Sequence, residues 1–458
     1  MQIIILGAGQ VGASLAENLS NENIDITIVD HELSRLQMLQ DRLDIRTVQG
    51  NAAHPSVLQS AGADDADLLV AVTNSDEINM VACQVADTLL HTPQKIARVR
   101  SHDYLLFSER LFVEKALPID VLISPEQLVT RHIAQLLRHP GALQVLEFGD
   151  GAALMVAVKV HQGARLAGQA IADIPRLLPL TPVRIVAIFR DGVPIRPGPE
   201  SRIEPNDEIF FVAARGYVEA VKMALKPDAP RYKRIMIAGG GNIGAALAEA
   251  LEDDYQVKII ERSMERCNHL AERLDNTIVI QSSASEKQLL IEENIEQTDV
   301  FCALTNDDEA NIMASMLAKR LGAKTVMTLI NNPAYVDLIE AGVIDIALSP
   351  QQTTIGSLLR HIRRGDMASV HSLRHGAAEA IEAVAHGDRS SSRVVGRAVG
   401  ELALPKGTLV GALIRSGEVL IAHHNTVIEN NDHLILFVSD KRAIPEVERL
   451  FQVGLQFF

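Results

Sequence analysis

Short apolar runs alternate with amphipathic stretches through the first 123 residues. The runs are IIILG (3–7), DITIVD (25–30), RTVQG (46–50), DLLVAVT (67–73) and IARVR (96–100), and a helical pattern follows the first of them as far as Leu19. Apolar runs separated by helical patterns predict βαβ units around a parallel sheet. A punctuated helix comes next. Ser124 is placed to cap it, Pro125 suits its first turn, Gln127 completes a capping box, and His139-Pro140-Gly141 stops it. Beyond this the pattern turns strand-rich, with turn signals at Arg190-Asp191-Gly192 and Pro205-Asn206-Asp207, and predicts a small α+β module.

The same order then repeats. QIIILGAGQVG (2–12) returns as RIMIAGGGNIG (234–244), and DADLLVAVTNSDEINMVACQVA (65–86) as QTDVFCALTNDDEANIMASMLA (297–318). DVLISPEQ (120–127) matches DIALSPQQ (345–352), RIVAIFRDG (184–192) matches LVGALIRSG (409–417), and EPNDEIFFVA (204–213) matches ENNDHLILFV (429–438). The first two matches are 232 positions apart and the later ones 225, so one deletion near PAYVDL (333–338) reconciles them. The chain therefore reads as a tandem duplication. Its predicted fold class is α/β, with two Rossmann-like parallel-sheet domains (1–123 and 232–348), each followed by a small α+β domain (140–225 and 367–453). KPDAPRYKR (226–234) links the copies, and Ser349-Pro350-Gln351-Gln352 and Gly365 punctuate the second helix as Ser124–Gln127 and Gly141 do the first. The two helices, over 125–138 and 350–364, each carry an apolar face: Leu128, Ala134 and Leu137 in one, Leu358, Leu359 and Ile362 in the other.

Composition narrows the function. The 458 residues are 47% hydrophobic and carry a formal charge of −15, with aromatics at 3% and no Trp, which argues against a phosphate-gripping or base-stacking nucleic-acid binder. Mean hydropathy is slightly positive, +0.11. No apolar run approaches the roughly 20 residues that cross a bilayer, and the N-terminus, which starts a strand at once, has none of the marks of a signal peptide. Cys83, Cys267 and Cys302 are scattered without ligand or disulfide spacing and read as small buried hydrophobes in a reducing compartment; no metal site is expected.

The candidate chemistry lies in the glycine loops. Gly7-Ala8-Gly9-Gln10-Val11-Gly12 stands between a strand and a helix; the first glycine permits the turn, the second lets a pyrophosphate approach, and the third lets helix and strand pack. The phosphate would meet free N–H groups at the helix start. Asp30 ends the second strand, where a carboxylate accepts hydrogen bonds from an adenosine ribose diol. Gly239, Gly241, Asn242, Ile243 and Gly244, with Glu261, repeat the arrangement. A carboxylate repels a 2′-phosphate, so NAD(H) is preferred to NADP(H), while ATP or ADP suits the motif equally well at either site. Further candidates are Arg35 and Arg262 beyond the acidic residues, and Arg98 and Arg100 after the fifth strand; aligned on Tyr104 and Tyr335, the counterparts of these last two are Leu329 and Asn331. The repeated TN-x-DE-x-N (73–79 and 305–311) ends a strand and opens a helix, placing Thr73, Asn74 and Thr305 by the crevice with Asp76 or Asp307 as the helix cap. No catalytic residue is assigned. None of the five tyrosines has Lys four positions on, and His423-His424, expected in a strand, is far from either loop.

GAGQVG with Asp30, the run GNAAHPSVLQSAGADDADLLVAVTNSDEIN and the SPEQ helix together resemble the RCK/KTN family, regulators of potassium conductance, and the resemblance spans the whole chain. It implies a non-enzymatic, nucleotide-binding regulatory subunit, peripheral on the cytoplasmic side of the inner membrane, docked on a potassium-translocating subunit of the TrkH/TrkG type. It also implies a homo-oligomer, four double chains closing a ring as a tetramer. The family's Gly-Asp-Ala-Thr after the third strand is replaced here by Gly50-Asn51-Ala52-Ala53 and Gln281-Ser282-Ser283-Ala284, which leaves Asn51 as the adenosine contact of the first copy. The rival reading is an NAD-dependent oxidoreductase or redox sensor with its own turnover. A redox-sensing nucleic-acid regulator is a third.

Overall fold

The computed structural model describes residues 1–20, 24–113, 116–229, 231–332, 334–336, 344–362, 367–373 and 378–452. Strands β1 (Gln2–Leu6), β2 (Asp25–Asp30), β3 (Arg46–Gln49), β4 (Leu68–Ala71), β5 (Gln94–Arg98) and β6 (Val121–Ile123) form one sheet in the order β3-β2-β1-β4-β5-β6. All its pairings are parallel. β1 and β4 are buried along nearly their whole length, which is why their sequences are continuous apolar runs rather than alternations. The strand order reverses between β1 and β4, which opens a crevice at the C-terminal ends of those strands.

The following domain is a five-stranded antiparallel sheet of β7 (Ala142–Phe148), β8 (Ala153–Lys159), β9 (Val183–Arg190), β10 (Val193–Ile195) and β11 (Glu208–Ala214), with helix Val218–Leu225. Its Asp191-Gly192 turn has positive φ at both residues, as a tight hairpin between β9 and β10 requires. Fully buried Asp207 accepts two bonds from Arg190, at 2.8 and 3.0 Å, tying that hairpin to the start of β11.

The second copy repeats both plans. β12 (Arg234–Ala238), β13 (Gln256–Glu261), β14 (Ile278–Gln281), β15 (Val300–Ala303), β16 (Thr325–Leu329) and β17 (Ile346–Leu348) make the second parallel sheet, in the order β14-β13-β12-β15-β16-β17. β18 (Met367–Leu373), β19 (Ala378–Val384), β20 (Thr408–Arg415), β21 (Glu418–Ile421) and β22 (His433–Val438) make the second antiparallel sheet, where Arg415 and buried Asp432 repeat the Arg190–Asp207 pair. The two antiparallel sheets share one apolar core, in which Phe148, Phe189 and Phe210 meet Leu373, Ile414 and Phe437. His423-His424 falls just past β21, in an exposed turn and not in the strand expected for it, because pairing with β20 ends at Ile421. The predicted helix stop at Gly365, and all but 334–336 of the segment assigned to the deletion, lie outside the described residues.

The contacts divide the chain into two units that the repeat does not suggest. One contains 1–126 with 351–362; the other contains 127–350 with 363–458. Each connecting helix therefore packs with the other copy's parallel sheet. Val129, Ile133, Leu136 and Leu137 of helix Pro125–Arg138 join Ile235, Ile237 and Leu247 in one core, and the Tyr255 hydroxyl donates to the Leu137 carbonyl at 3.4 Å. Helix Pro350–Ile362 accounts for the described part of the helix expected over 350–364, and from Gln351 onward it belongs with the first sheet.

Helix Pro125–Arg138 also carries a titratable group. Desolvation, with His371 adding to it, holds the His132 imidazole down to about 4 against an ordinary 6.5. The unfolded chain takes up a proton here below pH 6.5 and the folded chain does not, so the stability this neutral ring supports is lost as pH falls from 6.5 toward 4. In melting curves over that range, His132→Gln is expected to flatten the acid-side fall in Tm.

Candidate functional site

The first site is built where β1 turns into helix Gln10–Leu19. Gly7 has φ +103°, and a Cβ there would come within 3.0 Å of the Thr73 Cα. A Cβ on Gly12 would lie 1.9 Å from the Gly7 carbonyl oxygen, so the helix approaches the strand closer than any side chain allows. Gly9 caps the helix without a side-chain bond, and a Cβ there would meet nothing within 4 Å. The first-turn N–H groups of Gln10, Val11 and Gly12 have no partner in their own helix and face a place where an anion can approach. Such an anion gains about 0.3–1 kcal/mol from the helix terminus, and up to about 2 where partly buried.

Asp30 fixes this loop from the adjacent strand. Its carboxylate accepts from the Ala8 N–H at 2.6 Å and the Glu32 N–H at 2.8 Å, so it is a strut as well as a candidate ribose acceptor. The second copy repeats the geometry: Gly239 has φ +107°, a Cβ on Gly244 would lie 2.0 Å from the Gly239 oxygen, and Glu261 accepts from the N–H groups of Gly240 and Ser263 at 2.7 and 2.9 Å. There helix Asn242–Leu251 starts at Asn242 and Ile243.

The neighbouring strand end shows what the TN-x-DE-x-N repeat does. Asn79 Oδ1 accepts from the N–H and hydroxyl of Thr73, and its Nδ2 donates to the Arg98 carbonyl at 2.9 Å; Asn311 makes the matching bonds to Thr305 and Leu329. The last Asn of the motif is thus a clamp between two strand ends. Asp307 caps its helix as expected, accepting from the Ala310 N–H. Asp76 does not: Ser75 caps the first-copy helix, one residue earlier, and Asp76 turns inward to accept from the N–H groups of Arg100 and Ser101. Asn74 is exposed, and its carbonyl is held by Arg100 Nη2 at 2.7 Å.

The two crevices differ in how far they satisfy themselves. In the first, Arg98 Nε, Asp76 Oδ1 and Glu126 Oε2 are buried without a partner. Desolvation, then the Arg100 charge, pushes the Arg98 guanidinium below its usual range, and desolvation raises the Glu126 carboxyl despite both arginines. Buried polar atoms left open in this way mark a place for a further polar group. In the second crevice Leu329 is apolar, and Asn331 closes the cluster with its N–H and Nδ2 on Asp308, Asn332 adding a third donor.

The remaining candidates sit at the rims. Arg35 is paired with Glu32 at 2.8 Å and largely exposed. Its counterpart Arg266, which sequence reasoning missed although the repeat aligns it, reaches to within 4.0 Å of where a Gly241 Cβ would stand; Arg262 is exposed beside Glu261. Asn51 is exposed and accepts from the Ala53 N–H in its own turn, while the Ser282 N–H continues the pairing onto the Glu261 carbonyl. Sequence reasoning treats Gln351 only as helix punctuation and does not single out Glu126, and the structure brings both to the first site. The free N–H groups, the acidic strut and the open Arg98 fit an adenine nucleotide. No group of three metal-ligating side chains occurs among the described residues.

Comparison with known proteins adds a family. The TrkA-N domain family matches residues 3–125 and 235–350, and the TrkA-C domain family matches 155–226 and 389–452. The chain is 60% identical to the Trk system potassium uptake protein TrkA of Halomonas elongata, covering all of both chains. It is 51% identical to that of Haemophilus influenzae, again over the whole of both. A TrkA homolog from Archaeoglobus fulgidus is 34% identical, over 99% of this chain and 100% of its own. Among solved structures, the RCK domain of GsuK aligns over 98% of this chain and 94% of its own, with a TM-score of 0.60 at 18% identity. The GsuK channel bound to NAD aligns over 98% and 79%, also at 0.60 and 18%, which shows the shared fold.

Two glycines separate structure from ligand. Gly12→Ala drives a Cβ into backbone and is expected to cost about 1–3 kcal/mol or more, seen as a lower Tm. Gly9→Ala meets open space and is expected to leave Tm within a degree or two while weakening nucleotide binding in calorimetric titration.

Proposed function

The chain belongs to the TrkA family of tandem RCK proteins, and from that premise we propose that it is a nucleotide-responsive regulatory subunit of a potassium uptake system. It acts by binding and not by turnover. Its partner in this reading is a potassium-translocating membrane subunit of the TrkH/TrkG type, reached from the cytoplasmic face of the inner membrane. No helix among the described residues is long and apolar enough to cross a membrane, which accords with a peripheral position. Four copies would place eight Rossmann domains in one ring.

The observation that carries the reading is the pair of strand–glycine–helix sites, each with its acidic strut. Residues 7–12, Asp30 and Thr73 form the first, with Asn74, Arg98 and Arg100 beside it; Gly239, Gly241–Gly244, Glu261 and Thr305 form the second. NAD(H) is the proposed ligand, since both ribose acceptors are carboxylates, with ATP or ADP competing at the same or the second site. The unpartnered Arg98 Nε, with the Arg100 charge beside it, gives the first site the higher affinity for a ligand with added negative charge, and the self-closed Asp308–Asn331 cluster lowers it at the second. A nucleotide shifts the assembly only by binding one of its conformations better than another. A coupling of about 1–3 kcal/mol changes pore opening several-fold or more.

Potassium flux through the reconstituted complex is expected to change with at least one of NADH, NAD, ATP and ADP, and indifference to all four overturns the proposal. Steady NADH oxidation by the pure protein with a metabolite panel would favour the oxidoreductase reading instead. In nucleotide titrations Asp30→Asn, which keeps the side-chain size but replaces one of the two strut acceptors with a donor, is expected to lower first-site affinity by about tenfold or more, the loss of at least one charge-assisted hydrogen bond. Glu261→Gln is expected to affect only the weaker second site.

A further inference from the structure

One side chain of the first site comes from the other half of the chain. Gln351, in the first turn of helix Pro350–Ile362, is only 7% exposed, although it is polar and more than three hundred residues from the glycine loop. Its Nε2 donates to the Gln10 carbonyl at 3.1 Å and contacts the Ser14 hydroxyl one helical turn on. The carbonyl needs a donor, which fixes the orientation of the amide and leaves Oε1 buried without a partner. Gln351 thus grips the flank of the turn whose N–H groups face the phosphate position.

The chemistry of that grip is specific. The Gln10 carbonyl and the Val11 N–H are the two ends of one peptide group. An anion that accepts from the Val11 N–H polarises this peptide and makes the Gln10 oxygen a stronger acceptor, so the bond from Gln351 tightens as the site fills. The dependence is reciprocal: a peptide held at its carbonyl end is a better donor at its N–H end. Glu126 occupies the equivalent repeat position and has no amide to donate, so the device is not a by-product of the duplication.

We infer that Gln351 is a positioning residue of the first nucleotide site, through which phosphate binding on residues 10–12 is transmitted to helix Pro350–Ile362 from the second half of the chain. This rests on the nucleotide-binding reading above.

The test is hydrogen exchange of the full-length protein with and without saturating NADH or ATP, comparing the wild type with Gln351→Met, which keeps the volume and burial and removes the donor. Exchange of residues 8–14 and 240–246 reports occupancy of each site separately. In the wild type, nucleotide is expected to slow exchange in 351–362 together with 8–14. In Gln351→Met, first-site affinity is expected to fall about 2- to 10-fold, the worth of one ordinary hydrogen bond, with the response of 351–362 lost while 8–14 still respond. Unchanged affinity and an unchanged response of 351–362 in Gln351→Met overturn the inference alone. No protection of 8–14 in the wild type by either nucleotide overturns the nucleotide reading at this site, and the inference with it.

Discussion

The molecule is organised around a backbone approach that leaves no room for a side chain. Where helix Gln10–Leu19 leaves β1, the third glycine of the loop lies against the carbonyl of the first, and the same contact recurs between Gly244 and Gly239. Close packing here sets the direction of the helix, and so the direction in which its uncapped N–H groups point. The acidic residue at the end of the next strand then bonds the loop from the side, which holds the turn before any ligand arrives. Strand, turn, helix and second strand form one rigid cradle, and the rest of each Rossmann domain is arranged to support it.

On this shared frame the two copies have diverged at the strand end beside the cradle. In one copy the inward-facing aspartate keeps an oxygen open beside a half-buried arginine; in the other an asparagine fills the equivalent space and satisfies the aspartate. The first arrangement leaves polar atoms without a partner, and the second satisfies its aspartate internally. A duplicated fold can therefore keep its architecture twice while the polar groups beside each cradle differ.

Much of this was legible in the sequence. Buried parallel strands write themselves as continuous apolar runs, and a repeat of 232 residues shows itself without any alignment to other proteins, so two parallel sheets, a small α+β module after each and two glycine loops between strand and helix were legible, although the antiparallel order of the modules was not. Three things were not. The exchange of the connecting helices leaves no trace in periodicity, because an apolar face at 128–137 suits either parallel sheet equally well. The cap at Ser75 instead of Asp76 depends on where the strand ends, a matter of one residue that propensity does not resolve. Gln351 and Arg266 act through space, and a lone glutamine in a helix carries no signal of the loop it will meet. The candidate residues nearest the backbone motif were thus visible, and those delivered by tertiary packing were not.

The exchanged helices also bear on how such a chain arose and how it can change. Two identical subunits that traded a helix would each have been incomplete alone, and joining them through residues 226–234 converts that mutual debt into a single polypeptide. Once joined, neither half is free to drift: an apolar substitution in one copy's connecting helix must be answered by the sheet of the other. The duplication is therefore less a pair of interchangeable parts than an interlock, and evolution can tune the two sites separately only where residues such as Asn331 and Arg98 lie clear of the shared cores.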